Sequence, residues 1–263
     1  MAILTHGSDL SLAPTATPVI AQTDGTLRTA LGRLAGAGFT AVQIDATLAG
    51  LRPRELNTRA RKDLLALIAR HGMRLAGIDL FLPRRHYLDS AYIDRAMAAT
   101  LAAIELAADL GRVPLSLALP VAGMTEDARG ALVEAADGHS VSLAVHGEGQ
   151  WEALSQWVEA VDLPALGMAI DPATLLAQQV DPVALIHQHA KRLRVARLSD
   201  QAANSVGRCD VGQGDLDVSA YRIAVDLATA RLGPVVLDLR GLANPLAAAS
   251  VARDAWEGAA FSV

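Results

Sequence analysis

The sequence predicts an α/β fold, a single (β/α)8 barrel, and three observations carry that prediction. The chain has 263 residues, the length of one such barrel. Short apolar runs alternate with helix-patterned segments eight times from end to end. The runs are nearly continuous in apolar residues rather than alternating, as in strands buried on both faces of a parallel sheet. An open dinucleotide-binding sheet is disfavoured, because no G-x-G-x-x-G follows the first strand. The GQG at Gly212 to Gly214 lies in a long loop and leads into a segment without a strand, so it is not a phosphate-binding fingerprint. One domain therefore spans residues 1–263.

The first strand is weak, Ser8 to Ala13, and the APTATP that follows reads as a loop. Asp24 is placed to cap a helix over Thr26 to Ala37, with Leu27, Leu31 and Leu34 on one face. The second strand is Phe39 to Ile44, ending on Asp45. A helix over Arg54 to Arg70 turns Leu56, Leu64, Leu67 and Ile68 inward and stops at His71-Gly72. The third strand is Met73 to Leu80, and an Ala-rich helix runs from Asp89 to Leu110. The later strands are Val113 to Leu119, Val141 to His146, Leu166 to Asp171, Leu193 to Leu198 and Pro234 to Leu239. Helices are expected between them at Thr125 to Ala136, Gln150 to Val161, Asp181 to Ala190, Val218 to Leu232 and Pro245 to Gly258.

Composition narrows the function classes. Apolar residues make up 52%, much of it alanine, against 3% aromatic, which fits tight helix-on-sheet packing. Net charge is −5 and no Lys/Arg block interleaves with aromatics, so nucleic acid is not an expected partner. The single Cys209 excludes an internal disulfide and a multi-cysteine zinc site; in a polar loop it reads as a surface thiol. The N-terminal MAILTHGSDLSLAPTATP lacks the basic and apolar regions of a secretory signal. No apolar run approaches the roughly 18 residues a membrane span needs. A soluble cytoplasmic protein is the expectation.

Candidate functional residues sit where strands end, since barrels of this type present chemistry at the C-terminal mouth. The clearest case is LGMAIDPATLL, in which an apolar strand runs into Asp171 and Pro172 opens the next helix. Comparable strands end on His146, Arg197 and Asp238. Asp238 and Arg240 share a strand face by period-two alternation. Glu148 lies two residues past His146 in a HGEG run that is also an ordinary loop sequence. Asp45 and Asp79 are hydroxyl acceptors or loop caps, and His6 and His86 are loop histidines within reach of the mouth. Trp151 and Trp157 are six apart on one helix, off a common face, and read as packing residues.

The order of elements resembles the xylose-isomerase-like TIM barrels, a superfamily of sugar (phosphate) isomerases and epimerases. The matching pieces are AGFTAVQI, RHGMRLAGI, LGMAIDP, RLSD and VGQGDLDVSAY, the last being the most specific. The resemblance implies a divalent metal at the mouth, held by a Glu ending strand five, an Asp ending strand six, a His ending strand seven and a Glu ending strand eight. It also implies a further His three residues after the Asp, and proton transfer by the two Glu. Carried onto this chain, His146 stands for the first Glu, Asp171 is the retained Asp, Thr174 replaces the further His, and Asp238 stands for the last Glu. Arg197 replaces the strand-seven His, three residues before the retained Asp200. Barrels of this kind commonly pair, so a homodimer is an open expectation.

Two readings of the substituted site follow. His146, Asp171 and Asp238 still offer ligands for Mn²⁺, Mg²⁺ or Zn²⁺. Against that, a guanidinium stays charged and repels a dication, and Arg197 is expected to bridge Asp171 and Asp238 instead, with no metal cofactor. Such a network either fills the old site as a buried ion pair or binds a small sugar-like molecule. In the second case Arg197 and Arg240 supply positive charge, and Asp171, Asp200, Asp238 and Glu148 accept from hydroxyls. His146 and Asp238 are the candidates for proton transfer. The first hypothesis is a sugar isomerase/epimerase-like enzyme with a remodelled site; the alternative is an inactive barrel binding a small polyol, an acid or a partner protein.

Overall fold

Eight parallel strands and ten helices alternate along the residues described by this computed structural model, which are 10–202, 205–228 and 232–259. The chain opens with β1 (Leu12–Pro14), α1 (Ala16–Gln22), α2 (Leu27–Gly36), β2 (Ala41–Asp45), α3 (Thr58–Arg70) and β3 (Arg74–Leu80). It continues through α4 (Ile93–Asp109), β4 (Leu115–Ala118), α5 (Glu126–Gly138), β5 (Leu143–His146), α6 (Trp151–Val161) and β6 (Leu166–Ile170). Then follow α7 (Pro172–Leu176), α8 (Pro182–His189), β7 (Leu193–Leu198), α9 (Val218–Ala228), β8 (Val235–Leu237) and α10 (Pro245–Gly258).

Each strand from β2 to β8 pairs in parallel with the next, and β8 pairs with β1. An isolated parallel bridge between Thr15, just after β1, and Gln43 of β2 brings the two ends of the sheet together. The result is a nearly closed (β/α)8 barrel, as the alternation of elements predicts. Helices seal its outer face with small and branched residues: Ala30, Leu31 and Leu34 of α2, and Ala103, Ile104 and Ala107 of α4, are all fully buried. Alanine lets helices approach the sheet closely, and this is where the high apolar fraction resides. None of the described helices is long and apolar enough to cross a membrane.

Several local expectations are revised. The APTATP stretch is not a loop: β1 extends into it through Pro14, and α1 starts at Ala16. Pro18 falls in the first turn of α1, where its missing N–H has no helical acceptor in any case. Asp24 does not cap α2 itself. Thr26 does, accepting from Thr29 N, and Asp24 braces that cap by accepting from Thr26 N at 3.0 Å. The helix expected from Arg54 starts at Thr58, because Asn57 caps it, accepting from Ala60 N at 2.9 Å. The helix expected from Asp89 starts at Ile93. His6 and the start of the expected first strand lie outside the described residues, as do residues 229–231 near the end of the helix expected over Val218 to Leu232.

Candidate functional site

The site follows from the pleat of the strands. Inside the barrel, Ala144 of β5, Ala169 of β6, Val195 of β7 and Val236 of β8 form a small apolar cluster apart from the main core. Two residues further along, on the same face, come His146, Asp171, Arg197 and Asp238. Asp79 stands likewise two residues beyond Gly77 of β3. A floor of small residues thus carries a polar layer at the C-terminal mouth, and all five of these side chains are buried. The small floor leaves room for the long Arg197 side chain, which is 0% exposed.

Arg197 is the centre of this layer. Its Nη1 donates to Asp238 Oδ2 at 2.9 Å, and its Nη2 donates to Asp79 Oδ1 and, at 3.4 Å, to Ser116 Oγ. The expected bridge from Arg197 to Asp171 is not formed; Asp79, on the far side of the barrel, takes that place. Asp171 is held by other residues: Ser199 Oγ donates to its Oδ1 at 2.6 Å, and Arg208 Nη2 donates to its Oδ2. Arg208 also reaches Asp238 through Nη1 at 3.0 Å. Arg240 completes the network, its Nε 2.8 Å from Asp238 Oδ1 and its Nη2 3.9 Å from Asp171 Oδ2. Phe81, two residues past Asp79 toward the mouth, packs on the network, with the Arg240 guanidinium 4.2 Å and the Arg197 guanidinium 5.2 Å from its ring centre.

Three guanidiniums therefore face three carboxylates, and the ionisation of Asp238 and of Asp79 follows from the share each has. Burial pushes the Asp238 carboxyl up, but Arg197, then Arg240 and Arg208, outweigh it and hold Asp238 far below the usual carboxylate range. Asp79 has Arg197 and a 2.8 Å hydrogen bond from Gln43 Nε2, and burial wins there, raising its pKa. His146 packs 5.4 Å from the Phe81 ring, with its Nε2 3.0 Å from Ser116 Oγ. Burial, reinforced by the Arg197 charge, lowers its pKa well below that of a free imidazole, so it is a neutral ring at physiological pH. Tyr221 supports the floor by donating from its hydroxyl to the Arg197 carbonyl at 2.6 Å.

The other expected site residues lie apart. Asp200 is fully buried but turned away from the mouth, accepting from the backbone N–H of Gln201, Gly212, Gly214 and Leu216 at 2.8 to 3.0 Å. Its carboxylate ties both ends of the long loop after β7 to one point, and that is the structural use of the GQGD stretch. A Cβ on Gly214 would stand 2.1 Å from Asp200 Oδ1, so only glycine fits there. Glu148 sits at the rim in an ion pair with Arg84 at 3.0 Å. Asp45 caps its own loop, accepting from Thr47 N at 2.7 Å, and His86 stacks on Tyr92 at 4.7 Å. Trp157 is buried in the core and Trp151 covers Gly147, consistent with packing roles. Cys209 is half-buried in the Asp200 loop, its thiol pushed up by burial.

Gln43, Phe81, Ser116, Ser199 and Arg208 belong to the site in addition to the residues expected from the strand ends. Gln43 and Ser116 carry a readable signal, as polar residues inside otherwise apolar strands. Arg208 carries none, because a loop of this length fixes no spacing.

The donor set does not fit a resident divalent metal. The carboxylates that would hold one are each engaged by guanidinium, and His146 points its Nε2 at Ser116. Among the described residues no group of three or more His, Cys, Asp or Glu is arranged to hold an ion.

Solved structures with the same architecture are numerous. L-ribulose 3-epimerase superposes with a TM-score of 0.72 at 17% identity, covering 96% of this chain and 96% of that one. The IOLI protein, described with a binding zinc atom, gives 0.75 at 16% identity over 97% and 100%. A xylose isomerase-like TIM barrel protein from Mycobacterium smegmatis in complex with magnesium gives 0.66 at 12% identity over 95% and 96%. These likenesses establish the fold. No curated protein matches the sequence significantly. The sequence profile of xylose isomerase-like TIM barrels matches residues 31–240, and the chain belongs to that family.

Proposed function

We propose that this barrel recognises a small polyhydroxylated molecule at its C-terminal mouth, and does so without a divalent metal. The observation that carries this reading is the set of three guanidiniums, Arg197, Arg208 and Arg240, that neutralise Asp79, Asp171 and Asp238. Hydrogen-bonding guanidiniums and carboxylates suit a ligand rich in hydroxyls. Membership of a family whose structural neighbours include L-ribulose 3-epimerase supports the same substrate class.

The site binds and orients more readily than it moves protons. Asp238 is pinned by three guanidiniums and is a poor base, the opposite of what an epimerase carboxylate needs. A second reading is an isomerase or epimerase in which the His146 ring takes a proton from a carbon beside a carbonyl; the ring is in its base form at physiological pH, although the burial and Arg197 charge that keep it neutral also weaken it as a base. In that case Arg197 and Arg240 would stabilise the developing oxyanion.

Metal analysis of the purified protein tests the principal reading, with Asp171→Ala as the control. No stoichiometric Mn²⁺, Mg²⁺ or Zn²⁺ is expected, and a screen of aldoses, ketoses and alditols by thermal shift should find a polyol that stabilises the wild type but not the variant. One equivalent of metal, lost in Asp171→Ala, would overturn the proposal. Solvent deuterium entering a bound ketose, abolished by His146→Gln, would establish the second reading.

A further inference from the structure

The network is neutral in sum but polarised across its depth. Asp79, Asp171 and Asp238 keep only 4%, 6% and 0% of their side-chain surface open, and Arg197 keeps none. The members that reach solvent are Arg208 and Arg240, at 16% and 32%. A molecule entering the mouth therefore meets cationic N–H groups first, with the carboxylates below them.

We infer that the ligand of this site is an acidic polyol, whose carboxylate docks on Arg208 and Arg240. This inference rests on the polyol-binding reading above and narrows it. A guanidinium carries five N–H donors. Asp238 engages Nε and Nη2 of Arg240, which leaves the Nη1 edge, and Asp171 and Asp238 engage Nη2 and Nη1 of Arg208, which leaves its Nε. The Arg240 plane is held by Phe81 at 4.2 Å, and Asp238 grips one side of it. A planar donor fixed in this way is preorganised for a carboxylate, whose two oxygens match the spacing of guanidinium N–H groups. The ligand's hydroxyls then face the remaining acceptor capacity of Asp171, whose Oδ1 takes a single Ser199 hydroxyl among the described residues. An ammonium-bearing sugar meets the same two guanidiniums and is repelled.

Matched titrations of the full chain test this. D-threonate, D-ribonate and D-gluconate are compared by calorimetry with D-threitol, D-ribitol and D-glucitol, which replace the carboxylate by a CH₂OH group. At least one acid should bind tighter than its alditol, by roughly tenfold to hundredfold, the range of a charge-assisted pair. Arg240→Lys keeps the charge but loses the fork, and should erase most of that ratio, weakening the acid far more than its alditol. Melting curves identify any variant that fails to fold, and Arg208→Lys provides the second variant in that event. Alditols binding as tightly as their acids would overturn the inference and leave the polyol reading standing. No binding by acid or alditol would overturn both. Binding of D-ribose 5-phosphate with none by the aldonates would overturn the carboxylate and identify a phosphate as the anion.

Discussion

Replacing Arg197 by methionine keeps most of the aliphatic bulk and removes the central charge of the barrel mouth. Asp238 retains Arg208 and Arg240, so its loss is partial. Asp79 retains only the Gln43 hydrogen bond at 2.8 Å among its direct partners and becomes a buried, uncompensated carboxylate. Breaking a buried ion pair from one side costs about 3–5 kcal/mol, a large share of the roughly 5–15 kcal/mol that stabilises a typical domain. The Asp79 carboxyl is already raised by burial, and without Arg197 it rises further. Between its unfolded and folded pKa values the folded state then binds more protons than the unfolded one, so stability falls as pH rises. Urea denaturation of Arg197→Met at several pH values from 5 to 7 should show a deficit that widens toward pH 7. Adding Asp79→Asn removes the stranded charge and should recover at least half of it. A loss under about 1 kcal/mol, typical of a surface pair, or no recovery in the double variant, would refute the account of Arg197 as the counter-ion of Asp79.

Other consequences can be measured as directly. Asp200→Asn weakens four backbone hydrogen bonds at once and should cost about 2 kcal/mol, with faster tryptic cleavage after Arg208 as the anchored loop loosens. Gly214→Ala should reproduce that protease sensitivity, since its Cβ would stand 2.1 Å from Asp200 Oδ1. The depressed Asp238 carboxyl contributes stability that is present above the unfolded carboxylate value and lost as pH falls below it, so Asp238→Asn should flatten the acid limb of the stability curve below about pH 4. The His146 ring should be neutral at pH 7 and titrate by NMR at lower pH than the exposed histidines if at all, because burial and Arg197 lower its pKa.

Much of the fold can be read from single segments. β7 at Leu193–Leu198 and α10 at Pro245–Gly258 have the bounds that their apolar patterning predicts, because pleat and helix period are local properties of the chain. The same locality explains why His146, Asp171, Arg197 and Asp238 were legible as a layer at the mouth: each stands two residues past an interior small residue on its own strand. α1 is hidden by the prolines Pro14 and Pro18, which signal a loop unless one falls in a helix's first turn, as Pro18 does.

Which residues pair within the layer was decided by closure of the barrel. Arg197 meets Asp238 across 41 residues of sequence and Asp79 across 118, and Arg208 meets Asp171 across 37 from a loop. No spacing rule spans such separations, so the expected Arg197–Asp171 pair gave way to one between opposite walls of the barrel. Asp200, a candidate by its position after β7, was drawn instead to the backbone N–H groups of a loop that returns 12 to 16 residues later. The sequence by itself determined the barrel and the strand-end residues that line its mouth, because alternation along a strand needs no partner. The tertiary structure decided which charges compensate one another, because a buried carboxylate takes whichever donor the closed barrel brings within reach.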